Sequence, residues 1–119
     1  GAEAWGASNR DAIALIQKIK PQHSIVAPLS KQNFLLQYAL FTKTDPAKIQ
    51  QIWNDKTITI DNLTITDDCL SDKIPPQKSL PKNSLYLASA SKCNNSFPPN
   101  MKINHRGEPQ QTIWNIYSN

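Results

Sequence analysis

This 119-residue chain contains two cysteines, and their spacing favours a disulfide bond between them. Cys69 and Cys93 bracket a segment that is rich in proline and lysine and has few signals for a helix or a strand. A disulfide between them would close a loop of about 25 residues, which stabilises a fold by roughly 3.5 kcal/mol in the chain-entropy model. We predict this disulfide. The alternative is a pair of reduced thiols, buried as small apolar side chains.

The predicted disulfide also bears on where the protein works. Disulfides persist in oxidising compartments, so we expect residues 1–119 to form a single extracytoplasmic domain, in the periplasm or at the cell surface. The chain opens with Gly1, Ala2 and Glu3 rather than with Met, and we expect that a leader or membrane anchor precedes it. The sequence has no run of 18 apolar residues, so membrane attachment would depend on such an anchor.

The two histidines do not predict a catalytic or metal centre. His23 and His105 lie far apart in the sequence, and neither has neighbours at the spacing that metal ligands adopt. Cys93 with His105 as its base would make a nucleophile, but no third group that would orient the pair is evident. The three glycines are too few for a glycine-rich phosphate loop. We therefore expect no enzyme activity and no cofactor.

Charged residues are numerous but scattered. Thirteen Lys and Arg against nine Asp and Glu give a net charge of +4. The lysines extend from Lys18 to Lys102, a distribution that favours a role in solubility over an acidic partner. Four aspartates lie close together in sequence but lack the alternating spacing and the glycine of a calcium loop. They are Asp61, Asp67, Asp68 and Asp72.

Three helices are predicted in the first half of the chain. A capping box at residues 8–11 predicts a helix over 9–20 that stops before Pro21. Ser30 is a good N-cap for a second helix over 30–41, although its dense apolar residues are also compatible with a buried strand. Asp45 before Pro46 predicts a third helix over 45–54.

Strands are predicted in the second half. Residues 57–60 and 63–66 alternate apolar and polar side chains around Asp61 and Asn62, which predicts a tight hairpin with its Ile and Leu side chains buried. A strand is predicted over 84–91, followed by a hairpin of 101–104 and 112–117. Trp114 and Ile116 are placed on one face of the last strand, and Ile113 and Tyr117 on the other. The expected fold is α+β, with N-terminal helices followed by an antiparallel sheet of hairpins.

The order of these elements is also that of a winged helix, with the hairpin at 57–66 as the wing. Such a domain binds duplex DNA through phosphate contacts from its third helix and its wing. Here the third helix offers only Lys48, and the wing tip carries Asp61. Nucleic-acid binding is therefore the less favoured prediction.

The closing residues resemble the final hairpin of bacterial type IV minor pilins and pseudopilins. In Met101–Tyr117 a strand, a turn that contains Gly107 and a last strand end the chain, as they end the globular head in that family. A first helix that would continue from an N-terminal segment absent from this sequence, and a cysteine pair around a variable loop, are similar too. The hydrophobic cleavage-site helix of the family is missing, and two further predicted helices before the sheet also depart from the family pattern. The resemblance implies a subunit of an extracellular filament or secretion apparatus.

The sequence thus predicts a non-enzymatic, extracytoplasmic bacterial domain that acts through protein-protein contacts, with a partner or by self-assembly. A pilin-like subunit is the first hypothesis. The alternatives are a periplasmic sensing or partner-binding domain of a membrane-anchored regulator and a winged-helix DNA-binding domain.

Overall fold

A computed structural model describes residues 2–94 and 96–119, where six strands form one sheet with three helices on one of its faces. The elements, in chain order, are α1 (Ala2–Ile19), β1 (His23–Ala27), α2 (Lys31–Thr42), α3 (Pro46–Ile52), β2 (Ile58–Ile60), β3 (Leu63–Ile65), α4 (Pro76–Ser79), β4 (Ser84–Ser89), β5 (Met101–Asn104) and β6 (Thr112–Ser118). Across the sheet the strands lie in the order β2-β3-β1-β4-β6-β5.

The sheet is mixed, so the predicted antiparallel sheet of hairpins is only partly right. The β2–β3 and β5–β6 hairpins are antiparallel, as predicted, and β4 pairs antiparallel with β6. The central strand β1, however, runs parallel to both β3 and β4. Parallel neighbours need a long crossover connection. Helices α2 and α3 lie in the connection from β1 to β3, and the segment that contains α4 carries the chain from β3 to β4.

Helix α1 begins earlier than the sequence predicted. It extends from Ala2 to Ile19, so Ser8 and Asp11 lie inside the helix and do not cap it. The alanines and Glu3 that precede Ser8 are strong helix formers and extend the helix toward the N-terminus. The carbonyl of Ser8 accepts a hydrogen bond from the indole Nε1 of Trp114 at 3.1 Å, which attaches α1 to the last strand.

The other two helices begin where the sequence predicted. Ser30 caps α2, its hydroxyl accepting a hydrogen bond from the backbone N–H of Asn33 at 3.2 Å. Asp45 caps α3 in the same way through the N–H of Ala47, with Pro46 in the first turn. Lys43, with a φ of 55°, ends α2 in the left-handed conformation. The helix prediction for this apolar segment is therefore confirmed over the strand alternative.

The main core lies between the three helices and the sheet. All three helices contribute to it, and Phe34 of α2 meets Trp114 of β6 edge to face, with ring centroids 5.8 Å apart. The β2–β3 hairpin contributes its alternate residues as predicted, since its isoleucines and Leu63 are buried while Thr59 is exposed. Asp61 at its tip has a φ of 53°, a left-handed conformation that Asp tolerates.

A second, smaller core covers the opposite face of the sheet. Tyr86 and Tyr117 stack there with ring centroids 5.8 Å apart, below the loop segments on either side of β4. The predicted faces of β6 are therefore confirmed for Trp114, Ile116 and Tyr117, and the strand is covered on both sides. Ile113 is an exception, because it packs against the helix side. Ile113 is the extra residue of a bulge and has no partner in β5, so the alternation breaks there.

Candidate functional site

The predicted disulfide is present. Cys69 and Cys93 are bonded, with their Cα atoms 5.6 Å apart. Cys93 is buried in the smaller core, and Cys69 packs against the same core from its edge. The bond therefore holds the segment after β3 and the segment after β4 against one face of the sheet.

Hydrogen bonds around the disulfide indicate a structural role. The hydroxyl of Tyr86 accepts a bond from the N–H of Leu70 at 3.0 Å and lies 3.8 Å from the Sγ of Cys93, to which it donates. Burial raises the pKa of Tyr86, and the bond from Leu70 partly opposes that rise. The Tyr117 hydroxyl donates to the carbonyl of Phe97 at 2.9 Å. Two tyrosines of the sheet thus fix the loops that the disulfide joins.

The structure does not bring the two histidines together. His23 lies on β1, where its Nε2 is 3.0 Å from the hydroxyl of Thr64. His105 lies in the β5–β6 turn and accepts hydrogen bonds from the N–H groups of Gly107 and Glu108 through its Nδ1. Since Cys93 is bonded to Cys69, no thiolate is present for His105 to activate.

The aspartates near the hairpin serve separate local contacts. Asp67 pairs with Lys31 at 3.3 Å and with Lys92 at 3.7 Å, whereas Asp72 accepts hydrogen bonds from Asn94 and Ser96. Among the residues that the structure describes, no group of three or more His, Cys, Asp or Glu side chains is placed to hold a metal ion.

A buried lysine fixes the start of α2. Lys31 is 7% exposed, and its Nζ donates to the backbone carbonyls of Asp55 and Lys56 in addition to its pairing with Asp67. These contacts join the first turn of α2 to the segments after α3 and β3. The rotation of α2 about its own axis is therefore set, and with it the side chains that α2 turns outward.

The outward side of α2 combines three exposed apolar side chains with amide side chains. Leu36 is 46% exposed, Leu40 is 67% exposed and Phe41 is 49% exposed, although the inner side of the same helix is buried in the main core. Leu36 and Leu40 are one turn apart and share a side of the helix, and Phe41 follows in the last turn. Lys31 is the only charged residue in α2, and it is buried. We call Leu36, Leu40 and Phe41 the α2 patch.

Sequence reasoning missed this patch because it interpreted the apolar density of residues 30–41 as a sign of burial. This apolar density was nevertheless the feature of the sequence that could have revealed the patch. A surface helix normally has a polar outer face, whereas the outer side of α2 mixes Asn33 and Gln37 with large apolar residues. Helix α2 is covered on its inner side and exposed at the α2 patch.

A cleft of about 390 Å³ opens beside the last turn of α2. It lies between the ends of α1 and α2 and the tip of the β2–β3 hairpin, and its lining includes Lys20, Tyr38, Thr42 and Asp61. Tyr38 and Thr42 face the cleft, so it opens on a different side of α2 from Leu36 and Leu40.

The base of the cleft contains a strong hydrogen bond. The hydroxyl of Tyr38 donates to Oδ2 of Asp61 at 2.6 Å, and Nζ of Lys48 lies 3.8 Å from the other carboxylate oxygen. Burial raises the pKa of Tyr38, and both the hydrogen bond and the negative charge of Asp61 raise it further. The phenol therefore stays protonated at neutral pH and holds the hairpin tip against α2.

Within the described residues, none of the helices has the length and apolar character that crossing a membrane requires. Comparisons with protein-family models, with curated proteins and with solved structures find no match for this chain.

Proposed function

We propose that this chain is a non-enzymatic, extracytoplasmic domain that works through a protein-protein contact, and that the α2 patch makes this contact. The single observation that carries the proposal is the exposure of Leu36, Leu40 and Phe41 within six residues of a helix that has no exposed charge. Leu36 and Leu40 are neighbours on one side of the helix, and neighbouring exposed apolar side chains are typical of interaction sites.

The way in which α2 is held supports the same proposal. Lys31 and the Ser30 cap fix the first turn of the helix, and the Tyr38–Asp61 bond fixes its second half. A rigid helix loses little conformational freedom when a partner binds, so more of the contact energy appears as affinity. The patch is thus preorganised for binding.

An extracytoplasmic location is part of the proposal, and the Cys69–Cys93 bond supports it, since such bonds persist where thiols are not kept reduced. Within this class, a pilin-like subunit of a filament or secretion apparatus remains our first hypothesis. The partner-binding domain of a membrane-anchored regulator is the second, and the α2 patch supports it as a docking surface.

The full-length protein in its native membranes or secretions provides the test. Wild type is expected to migrate on native gels in a complex larger than its own mass. Leu36→Gln with Leu40→Gln should release the free chain. Ile74→Gln is the matched control, because Ile74 is 53% exposed but lies in the segment that the disulfide closes. The Ile74 variant should keep the complex.

Two results would overturn the proposal. One is a complex that survives the double substitution in α2 with unchanged size. The other is a complex that the Ile74 variant loses to the same extent, since the contact would then not be specific to the α2 patch.

A further inference from the structure

We propose that the loop side of the sheet binds the anionic surface of a lipid membrane, with lysines beside the lipid headgroups and Ile74 inserted between them. The segments that cover the smaller core on this side, residues 69–82 and 96–100, are called the loop layer. The loop layer and α2 lie on opposite faces of the sheet. The membrane contact is therefore a second function, separate from the protein contact of the α2 patch.

The net charge of the chain comes from residues 69–119. This part contains six Lys and Arg against two Asp and Glu, whereas residues 1–68 contain seven of each. Two of the six cations, Lys92 and Arg106, are paired with acids of the first part. The other four are exposed and form no salt bridge within the described residues. They are Lys73, Lys78, Lys82 and Lys102.

The fold brings these four lysines to the loop side. Leu80 is buried in the smaller core, so α4 and the residues on either side of it lie over this face, with three of the lysines exposed to solvent. Gln77 of α4 donates a hydrogen bond to the side chain of Asn100, just before β5. In β5, Ile103 packs against the main core, so Lys102 points to the loop side. Positive charge that is scattered along the sequence is thus collected on one side of the domain.

The loop side carries fewer acids than lysines. Asp72 lies in the loop layer, and its carboxylate accepts hydrogen bonds from Asn94 and Ser96. Asp68 is exposed at the start of the layer, and Glu108 lies outside it in the β5–β6 turn. When both aspartates are counted with their negative charges, the four lysines still leave an excess of two positive charges. Such an excess attracts an anionic surface.

An exposed isoleucine lies among the lysines. Ile74 is 53% exposed and directly follows Lys73, and the two prolines after it restrict the backbone. The bond between Cys69 and Cys93 holds this segment to the sheet. An apolar side chain on such a loop can enter the boundary between headgroups and acyl chains, while neighbouring lysines keep their charges at the headgroups.

The types of these side chains favour a membrane over a polymer or a protein. All four cations are lysines, which act as hydrated point charges, whereas arginine is preferred where a carboxylate or phosphate is bound in a fixed geometry. The cores of protein interfaces are depleted in lysine. A nucleic acid or an acidic polysaccharide has no apolar layer that could accept Ile74. A diffuse anionic surface with an apolar interior fits both features, and a lipid bilayer is such a surface.

Vesicle flotation of the 119-residue domain tests the proposal. Vesicles that contain phosphatidylglycerol are compared with vesicles of phosphatidylcholine alone, at low salt and at about 150 mM salt. We expect the domain to bind the phosphatidylglycerol vesicles and to bind them less well as salt is added. Binding to phosphatidylcholine should be weaker by roughly tenfold or more.

Two triple variants with the same net charge show where the contact lies. The first is Lys73→Gln, Lys78→Gln and Lys82→Gln, and its control is Lys18→Gln, Lys43→Gln and Lys56→Gln, at exposed lysines of residues 1–68. The first should weaken binding to phosphatidylglycerol vesicles roughly a hundredfold, because each lysine beside an anionic surface contributes about a factor of five. The control should weaken it less than about threefold, because its lysines are screened from the membrane by salt and distance.

Variants of Ile74 test the apolar part of the contact. Ile74→Gln should weaken vesicle binding roughly tenfold, and Ile74→Leu should preserve it, because leucine buries a similar apolar area. A lipid contact adds no protein to the complex, so Ile74 remains a control for the α2 patch. The flotation assay contains no partner protein, so the membrane contact and the protein contact can fail independently.

Other outcomes would overturn the proposal. Equal binding to both kinds of vesicle, no binding to phosphatidylglycerol at low salt, or equal losses in the two triple variants would contradict a membrane contact of the loop layer. Heparin or duplex DNA that binds more tightly than the vesicles, and equally well after Ile74→Gln, would show an anionic polymer as the ligand instead.

Discussion

At the scale of single residues, buried polar groups decide how the helices and loops are fixed to the sheet. Burial raises the pKa of Tyr38, Tyr86 and Tyr117 above that of an exposed tyrosine. The neutral phenol is therefore the form that the folded state retains. Each of these hydroxyls makes a specific hydrogen bond, so their ionisation opposes folding.

Stability should fall at alkaline pH for this reason. Tyrosines of the unfolded chain ionise near pH 10, whereas the pKa of Tyr38 is higher in the folded state. Between these values the unfolded state binds fewer protons, so the free energy of unfolding decreases as pH rises. Tyr38→Phe should lower stability by about 1 kcal/mol at neutral pH, through loss of the bond to Asp61, and should reduce the alkaline decline.

Urea denaturation of wild type and Tyr38→Phe at pH 7 and at about pH 10.5 measures both effects, since that range spans the ordinary tyrosine pKa. Lysines also titrate there, but they are the same in both proteins. An identical alkaline decline in the two proteins would contradict the assignment to Tyr38.

Lys31 provides a second prediction at this scale. Lys31→Met removes the donor to the carbonyls of Asp55 and Lys56 and the partner of Asp67, so we expect a loss of about 1–3 kcal/mol. Lys82→Met, at an exposed position, should change stability by less than about 0.5 kcal/mol. Chemical denaturation of both variants measures the loss in the free energy of unfolding. Equal small losses would show that Lys31 does not hold α2.

At the scale of elements, the sequence predicted the helices and hairpins whose ends are fixed by residues close together in the chain. Ser30 and Asp45 satisfy N–H groups within their own helices, and the β2–β3 hairpin turns within two residues. These elements appear where the sequence placed them. The parallel pairing of β1 with β3 and β4 could not be predicted in this way, because it joins segments that are distant in sequence.

The candidate site could likewise be predicted only in part. The disulfide could be predicted because two cysteines leave a single possible pair. The α2 patch could not, because apolar density alone does not tell a helix buried on every side from one exposed at Leu36 and Leu40. Only the arrangement of α1, α3 and the sheet around α2 decides which of its sides remains open.

The last strand should be essential to the fold. Trp114 is buried, packs against Phe34 and donates to the carbonyl of Ser8 in α1. Trp114→Ala should therefore cost about 3–5 kcal/mol, enough to unfold a marginally stable domain. Thermal denaturation measures this loss, and Trp114→Phe should recover much of it. Unchanged melting of the alanine variant would show that β6 does not belong to the core.

The disulfide should stabilise the loops on one face of the sheet more than the helices on the other. Cys69→Ala with Cys93→Ala removes the closure of a loop with a sequence separation of 24 residues, and we expect a loss of roughly 3.5 kcal/mol. Hydrogen exchange should rise first between residues 70 and 81, while amides of α2 stay protected. Equal loss of protection in α2 would show that the disulfide stabilises the whole domain and not the loop layer.

At the scale of the whole molecule, the two faces of the sheet are covered by different layers. Loops joined by a disulfide close one face, and helices cover the other. On the helix side, α2 exposes the apolar surface formed by Leu36, Leu40 and Phe41. The central claim is that this surface contacts another protein.

Site-specific photo-crosslinking tests that claim most directly. A photoreactive amino acid is placed at Leu40, or at Ile74 as the control, in the full-length protein in its native host. We predict a discrete crosslinked product from position 40 that disappears when Leu36→Ser is added, and no product from position 74. No product from position 40, or the same product from both positions, would contradict the claim.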